Sequence, residues 1–239
     1  MASATTKHTV SSIRPEMEYQ QIPSRFADPR DCLTAHLMLE CAETLAGIKP
    51  ANLVSLVNRV RPCGKNLYSI WHDHHQSLST SMNILRLRVL QTSQRALLLF
   101  CYHPGQLDKH LAHAGIRVLL GKAGYDISLS SEELLTSLAD KIAGSANFPH
   151  EIGLFIGYPA KDVAAFMGLV DLPFTCQGPW KIYGNPEKSI CLANSFRDSR
   201  QVMVSRLKSC GSPLEHLAAL KTSRKQFFHP HPDKSSHYQ

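Results

Sequence analysis

Residues Arg95 to Tyr102 enclose an almost unbroken apolar run, Ala-Leu-Leu-Leu-Phe-Cys, and this run limits the fold more than any other stretch. A strand with one wet face alternates apolar and polar residues; a strand apolar at every position must be covered on both faces. It therefore predicts a central strand in a small mixed sheet with helices packed over it. The fold class is α/β or α+β, as a single domain.

The flanking segments supply the helices. Asp31 can cap a first helix through Cys32, Leu37 and Leu45, broken at Ala46-Gly47, and Pro50 suits the first turn of a second helix through Leu53, Leu56 and Val57. Asn66 to Trp71 alternates and reads as a strand, and Ser79 to Leu90 as a short helix. Pro104 begins a helix, and Ser130-Ser131-Glu132-Glu133 offers an N-cap serine followed by acids where the helix dipole favours them. His150 to Ile156 reads as a short buried helix, with a strand as the alternative. Ala160 to Val170 is a helix, Trp180 to Tyr183 a strand, Glu187 to about Lys208 a long helix, and Leu214 to Leu220 a last turn or two. Residues 1–30 and 221–239 have the polar or His- and Lys-rich composition of disordered segments, which places the domain at 31–220.

The net charge of +7 is spread along the chain, and no zinc finger, ribonucleoprotein motif or helix–turn–helix pattern accompanies it, so no specific nucleic-acid module is expected. No apolar run reaches the roughly 18 residues a membrane helix needs. The odd count of 7 cysteines contains no C-x-x-C pair and fits reduced thiols in a cytoplasmic protein.

Phe148 to Pro159 sets His150 and Glu151 in an apolar stretch bounded by two prolines and containing Gly153 and Gly157. A buried polar pair must be met by partners, since burial without them costs about 2–7 kcal/mol per group. Lys49 and the strand residues Lys181 and Tyr183 are the expected partners. Lys49, His150, Glu151, Lys181 and Tyr183 then form the candidate ligand-binding constellation, in which Lys181 with Tyr183 can hold a carboxylate or phosphate or simply bridge to Glu151. The alternative is a cysteine-dependent enzyme in which His150 serves as base for Cys41, because a thiol needs a nearby base or positive potential to become a nucleophile. A third reading is metal- or tetrapyrrole-handling. If the strands at 66–71 and 95–102 were parallel neighbours, His72, His74, His75, Cys101 and His103 would meet at their ends; their spacing matches no standard zinc pattern, and no metal ligands are assigned. The cofactor is unknown. There is no G-x-x-x-x-G-K-[ST] or G-x-G-x-x-G loop for nucleotide phosphates.

Leu45 to Leu53, Phe148 to Pro159, Asp162-Val163 with Phe166, and Trp180 to Gly184, in that order, resemble an uncharacterised bacterial family, domain of unknown function 3793. The resemblance spans roughly residues 32–218. It implies a single cytosolic domain of bacterial origin without an established activity; the polar constellation makes binding of a small ligand or a protein partner the leading reading. The chain departs from the usual family pattern at Glu40, Glu43 and His103.

Overall fold

The computed structural model describes Tyr19 and residues 21–219 other than 82, 83 and 146. Its centre is a three-stranded antiparallel sheet of β1 (Ala51–Val57), β2 (Arg86–Thr92) and β3 (Ala96–Tyr102), in the order β1-β3-β2. The apolar run is β3, and it lies in the middle as expected. Its register places Tyr102 opposite both Ala51 and Arg86. Because β1 and β2 each run antiparallel to β3, they run parallel to one another with β3 inserted between them. The segment from β1 through a helix to β2 is thus a split β-α-β unit rather than a pair of parallel neighbours.

Side-chain alternation sends the strands into two cores. Val54, Leu56, Leu97, Leu99 and Cys101 face one layer, made by α1 (Pro29–Glu40), α2 (Ala42–Leu45), α3 (Leu67–Ser81), α9 (Glu187–Ser209) and α10 (Pro213–Ala219). Ala51, Phe100 and Tyr102 face the other, made by α4 (Pro104–Leu111), α5 (Ala114–Lys122), α6 (Ser131–Gly144), α7 (Ile152–Phe155) and α8 (Ala160–Phe166). A two-stranded ribbon, β4 (Phe174–Gln177) and β5 (Lys181–Tyr183), adds a third small cluster in which Trp180 and Ile182 pack against Ala193 and Phe196 of α9.

Several local expectations are corrected. Asn66 to Trp71 begins helix α3 instead of forming a strand. The Asn66 side chain accepts from the backbone N–H groups of Tyr68 and Ser69 at 3.1 and 3.4 Å, which is N-cap geometry. Leu67, Ile70, Trp71 and Leu78 then recur at helical spacing toward the core. The helix expected over Ser79 to Leu90 is the end of α3 followed by β2, where Arg86 and Arg88 share one face and Leu87 takes the other. The helix expected after Pro50 is β1, since pairing with β3 decides what local propensity leaves open. Asp28, not Asp31, caps α1, accepting from Arg30 N–H at 2.7 Å. Asp31 instead accepts from Ser212 Oγ and Leu214 N–H, both at 2.9 Å, and fastens α10 to α1.

The expected capping box at Ser130 and Glu133 is present, and the long helix opens at Glu187. Part of the presumed N-terminal arm is packed, because Ile22 and Phe26 are buried in the first layer. The basic tail at 221–239 lies outside the described residues. No described helix is long and apolar enough to cross a membrane.

Candidate functional site

Phe148 to Pro159 enters as a turn, with Ile152 N–H donating to Pro149 C=O and Gly153 N–H to His150 C=O, each at 3.3 Å. Neighbours on a helical turn project about 100° apart, and His150 and Glu151 do so here. Glu151 turns inward. It accepts from Lys141 Nζ and from the Tyr125 hydroxyl, each at 3.2 Å. Burial, and then the Glu151 charge, push the Tyr125 phenol well above its ordinary range. The partner expected for Glu151 was Lys49 or Lys181; it is Lys141, which also donates to Ala123 C=O. His150 turns outward and is exposed, with its ring edge-on to Phe166 at 4.8 Å between centroids.

Beyond α7 the chain reverses at Gly157, whose φ of 81° is left-handed. Tyr158 then stacks on Trp180 at 4.7 Å and an interplanar angle of 30°. The ribbon carrying Trp180 is held by Asp162, a side chain only 1% exposed. Its carboxylate accepts from Trp180 Nε1 at 2.8 Å, Ser189 Oγ at 2.6 Å, Tyr183 N–H at 2.9 Å and Lys161 Nζ at 2.6 Å. Burial opposes its ionisation, but the bonds from Lys161, Ser189, Tyr183 and Trp180 outweigh it and hold the carboxyl below the usual range. One side chain thus ties together α8, β5 and α9.

Between α7, α8 and the ribbon lies a cavity of about 310 Å³. Its walls are chiefly apolar, with Phe148, Ile152, Val163, Phe166 and Trp180 prominent, and its polar lining includes His150 and Lys181. The Lys181 ammonium sits 5.3 Å from the Phe166 ring centroid. Two nitrogen groups therefore flank a single aromatic ring at the cavity.

Of the expected constellation, His150 and Lys181 come together here. Glu151 points into the second core. Tyr183 contributes its backbone, its N–H to Asp162 and its C=O to Lys161 at 2.5 Å. Lys49 is buried at 5% exposure and does not line the cavity. Its ammonium lies over Tyr158 at 5.1 Å and over Phe196 at 5.3 Å. Burial pulls its pKa down to about 8, against the opposing attraction of Glu43.

Cys41 and His150 are not brought together. Cys41 is fully buried in the first layer, where its thiol shares a hydrogen bond with Cys101. That bond and burial raise its pKa well above the ordinary thiol value, the opposite of what a nucleophile needs. Exposed His150 stands beside the other layer. His72 and His75 lie along α3 against Tyr68 and Trp71 rather than at the end of a strand, while Cys101 is buried and His103 starts α4. Among the described residues, no group of three His, Cys, Asp or Glu side chains is placed to hold a metal ion.

A second polar centre surrounds Glu43, 1% exposed. Arg200 Nε donates to Glu43 Oε1 at 2.5 Å and Asn52 Nδ2 to Oε2 at 3.1 Å; Thr44 Oγ1 in turn donates to Asn52 Oδ1 at 2.5 Å. The signal that could have found it was an acid inside Cys41-Ala42-Glu43-Thr44-Leu45, which had to be paired. Asp162 offered no comparable local clue.

No curated protein and no solved structure matches the chain. The residues of the two polar centres and of the cavity all fall within residues 37–218, the span matched by the model of one family. The chain belongs to that family, described as protein of unknown function (DUF3793).

Proposed function

We propose that this protein is a binding protein for a small, largely apolar molecule, held in the cleft between α7, α8 and the β4–β5 ribbon. The observation that carries this reading is the cavity of about 310 Å³ with its aromatic walls, at the lower end of the range of roughly 300–1,000 Å³ typical of small-molecule sites. The Asp162 network supports it by fixing the Trp180 wall from behind, so that the cleft exists before a ligand arrives. The inert environment of Cys41 weighs for binding over cysteine catalysis. The seven free thiols fit a reducing compartment, and we read the protein as cytosolic and bacterial on that basis together with its family membership.

The test uses the Trp71→Phe variant, which leaves Trp180 as the sole indole of the 2 in the chain. Titration with the neutral dye N-phenyl-1-naphthylamine should quench Trp180 emission saturably while dye emission rises. Adding Phe166→Ala, at a ring already 41% exposed and so tolerant of truncation, should weaken the dye. Absence of saturable binding, or equal binding with and without the Phe166 ring, overturns the reading.

A further inference from the structure

Resting on that reading of the cleft, we infer that its ligand is an amphipathic anion: an apolar body carrying one carboxylate or phosphate that Lys181 binds, with His150 beside it. The charges of the site carry the inference. Lys181 is exposed at the cavity wall, and no acidic side chain among the described residues lies within ion-pairing distance of it; its recorded partner is the face of Phe166. Three cations at the buried acids have carboxylates within ion-pairing distance, Lys141 with Glu151, Lys161 with Asp162 and Arg200 with Glu43. Among the described residues, the one acid that lines the cavity is Asp162, whose oxygens are already taken by four donors that include the Lys161 ammonium. It neither neutralises Lys181 nor adds an unbalanced negative charge to the cleft. His150 adds a second nitrogen group against the same ring, at 4.8 Å between ring centroids.

The geometry fixes the rest of the ligand. An anionic head held by an ammonium over Phe166 leaves the body lying toward Phe148, Ile152 and Trp180, where only apolar contact is offered. An apolar cavity of about 150 Å³ accommodates benzene, so about 310 Å³ suits a bicyclic aromatic or a medium aliphatic chain. A neutral apolar molecule would fill the same space but leave the ammonium without its counter-charge. A charge-assisted hydrogen bond is worth more than a neutral one, which makes the charge a source of selectivity.

The experiment compares N-phenyl-1-naphthylamine with its 8-sulfonate, 1-anilinonaphthalene-8-sulfonate, on the Trp71→Phe protein. The sulfonate should bind at least about tenfold more tightly, and added salt should erode the difference. Lys181→Ala should bring the sulfonate down to the affinity that the same variant shows for the neutral dye, and His150→Ala should remove part of the preference. Displacement of the sulfonate by 2-naphthoate but not by 1-naphthyl phosphate supports a carboxylate ligand; the reverse supports a phosphate. If the two dyes bind equally, if Lys181→Ala keeps the preference, or if neither competitor displaces the sulfonate, the anion inference is overturned and the cleft stands. If neither dye binds saturably, or Phe166→Ala leaves both unaffected, the cleft reading itself fails.

Discussion

The indole N–H of Trp180 donates to Asp162 Oδ2 at 2.8 Å, and this bond joins the two-stranded ribbon to the helical body. Asp162→Asn keeps the shape of the side chain but removes the charge that faces Lys161 and turns one acceptor into a donor. The expected cost is about 3 kcal/mol, at the lower end for a broken buried pair, seen as a lower urea midpoint with an unchanged slope. Trp180 emission should shift to the red because the ribbon loosens. An unmoved midpoint would show that the ribbon is held by its apolar contacts alone.

Gly157 reverses the chain with φ of 81°, and a Cβ at this position would overlap Pro50 Cδ. Both the backbone and the space therefore exclude a side chain. Gly157→Ala is expected to destabilise the fold by more than the ~1 kcal/mol of backbone strain alone, because the overlap falls on a proline ring that cannot swing away. Thermal unfolding would read this, with Gly144→Ala as the control, since a Cβ there meets nothing within 4 Å.

Glu43 holds Arg200 and Asn52 at once. Glu43→Ala leaves the guanidinium, the amide and the nearby Lys49 ammonium without their shared anion, and a loss of roughly 3–5 kcal/mol is expected. Glu43→Gln should cost less, because the amide oxygen can still accept one bond. Equal denaturant midpoints for the two variants would show that charge contributes nothing at this centre.

The buried Lys49 gives stability a dependence on alkaline pH. Its pKa falls from an ordinary 10.5 to about 8 on folding. Below about pH 8 the ammonium is charged in both states, and its burial cost is fully present. Between about 8 and 10.5 the unfolded chain still holds a proton that the folded chain has released, so stability rises with pH. Measured against Lys49→Met, which has no such proton, the wild-type chain should gain about 2 kcal/mol between about pH 7.5 and pH 10. A constant difference between the two chains would place the lysine in water.

The thiols should separate by environment. Cys191 is exposed, and Cys63, half-buried, has its pKa lowered first by a hydrogen bond with Ser24. Both should take up iodoacetamide in the native protein. Cys32, Cys41 and Cys101, all 0% exposed, should remain unlabelled until denaturant is added, as peptide mass spectrometry would show. Early labelling of Cys41 would instead revive a cysteine chemistry.

What could be read from the chain followed the range of the interactions. The β3 run, the Ser130–Glu133 capping box and the long helix from Glu187 announce themselves because the deciding residues are neighbours. Asn66 to Trp71 misled because six residues can satisfy an alternating and a helical pattern together; only Leu78 and the Asn66 cap separate them. Arg86 to Thr92 and Ala51 to Val57 owe their extended form to β3, which local propensity does not contain. At the cleft, His150 and Lys181 stand out as polar groups in apolar surroundings. Asp162 did not, since Trp180, Tyr183 and Ser189 reach it from two other elements. Glu151 was seen to need a cation, but Lys141 lies near the far end of another helix and was missed.

The order β1-β3-β2 has a consequence for how the protein is made. The central strand is the last of the three to leave the ribosome, and Ala51 finds its partner only when Tyr102 has been synthesised. Until then β1 has two open edges, α3 has no sheet to cover, and neither core can close. The short β2–β3 hairpin can form first at little entropic cost, and β1 then docks on its free side across a longer loop. Nascent chains halted before β3 should therefore remain bound by chaperones and sensitive to protease, while those halted after it can assemble the sheet on which every later helix, and with them the cleft, is laid.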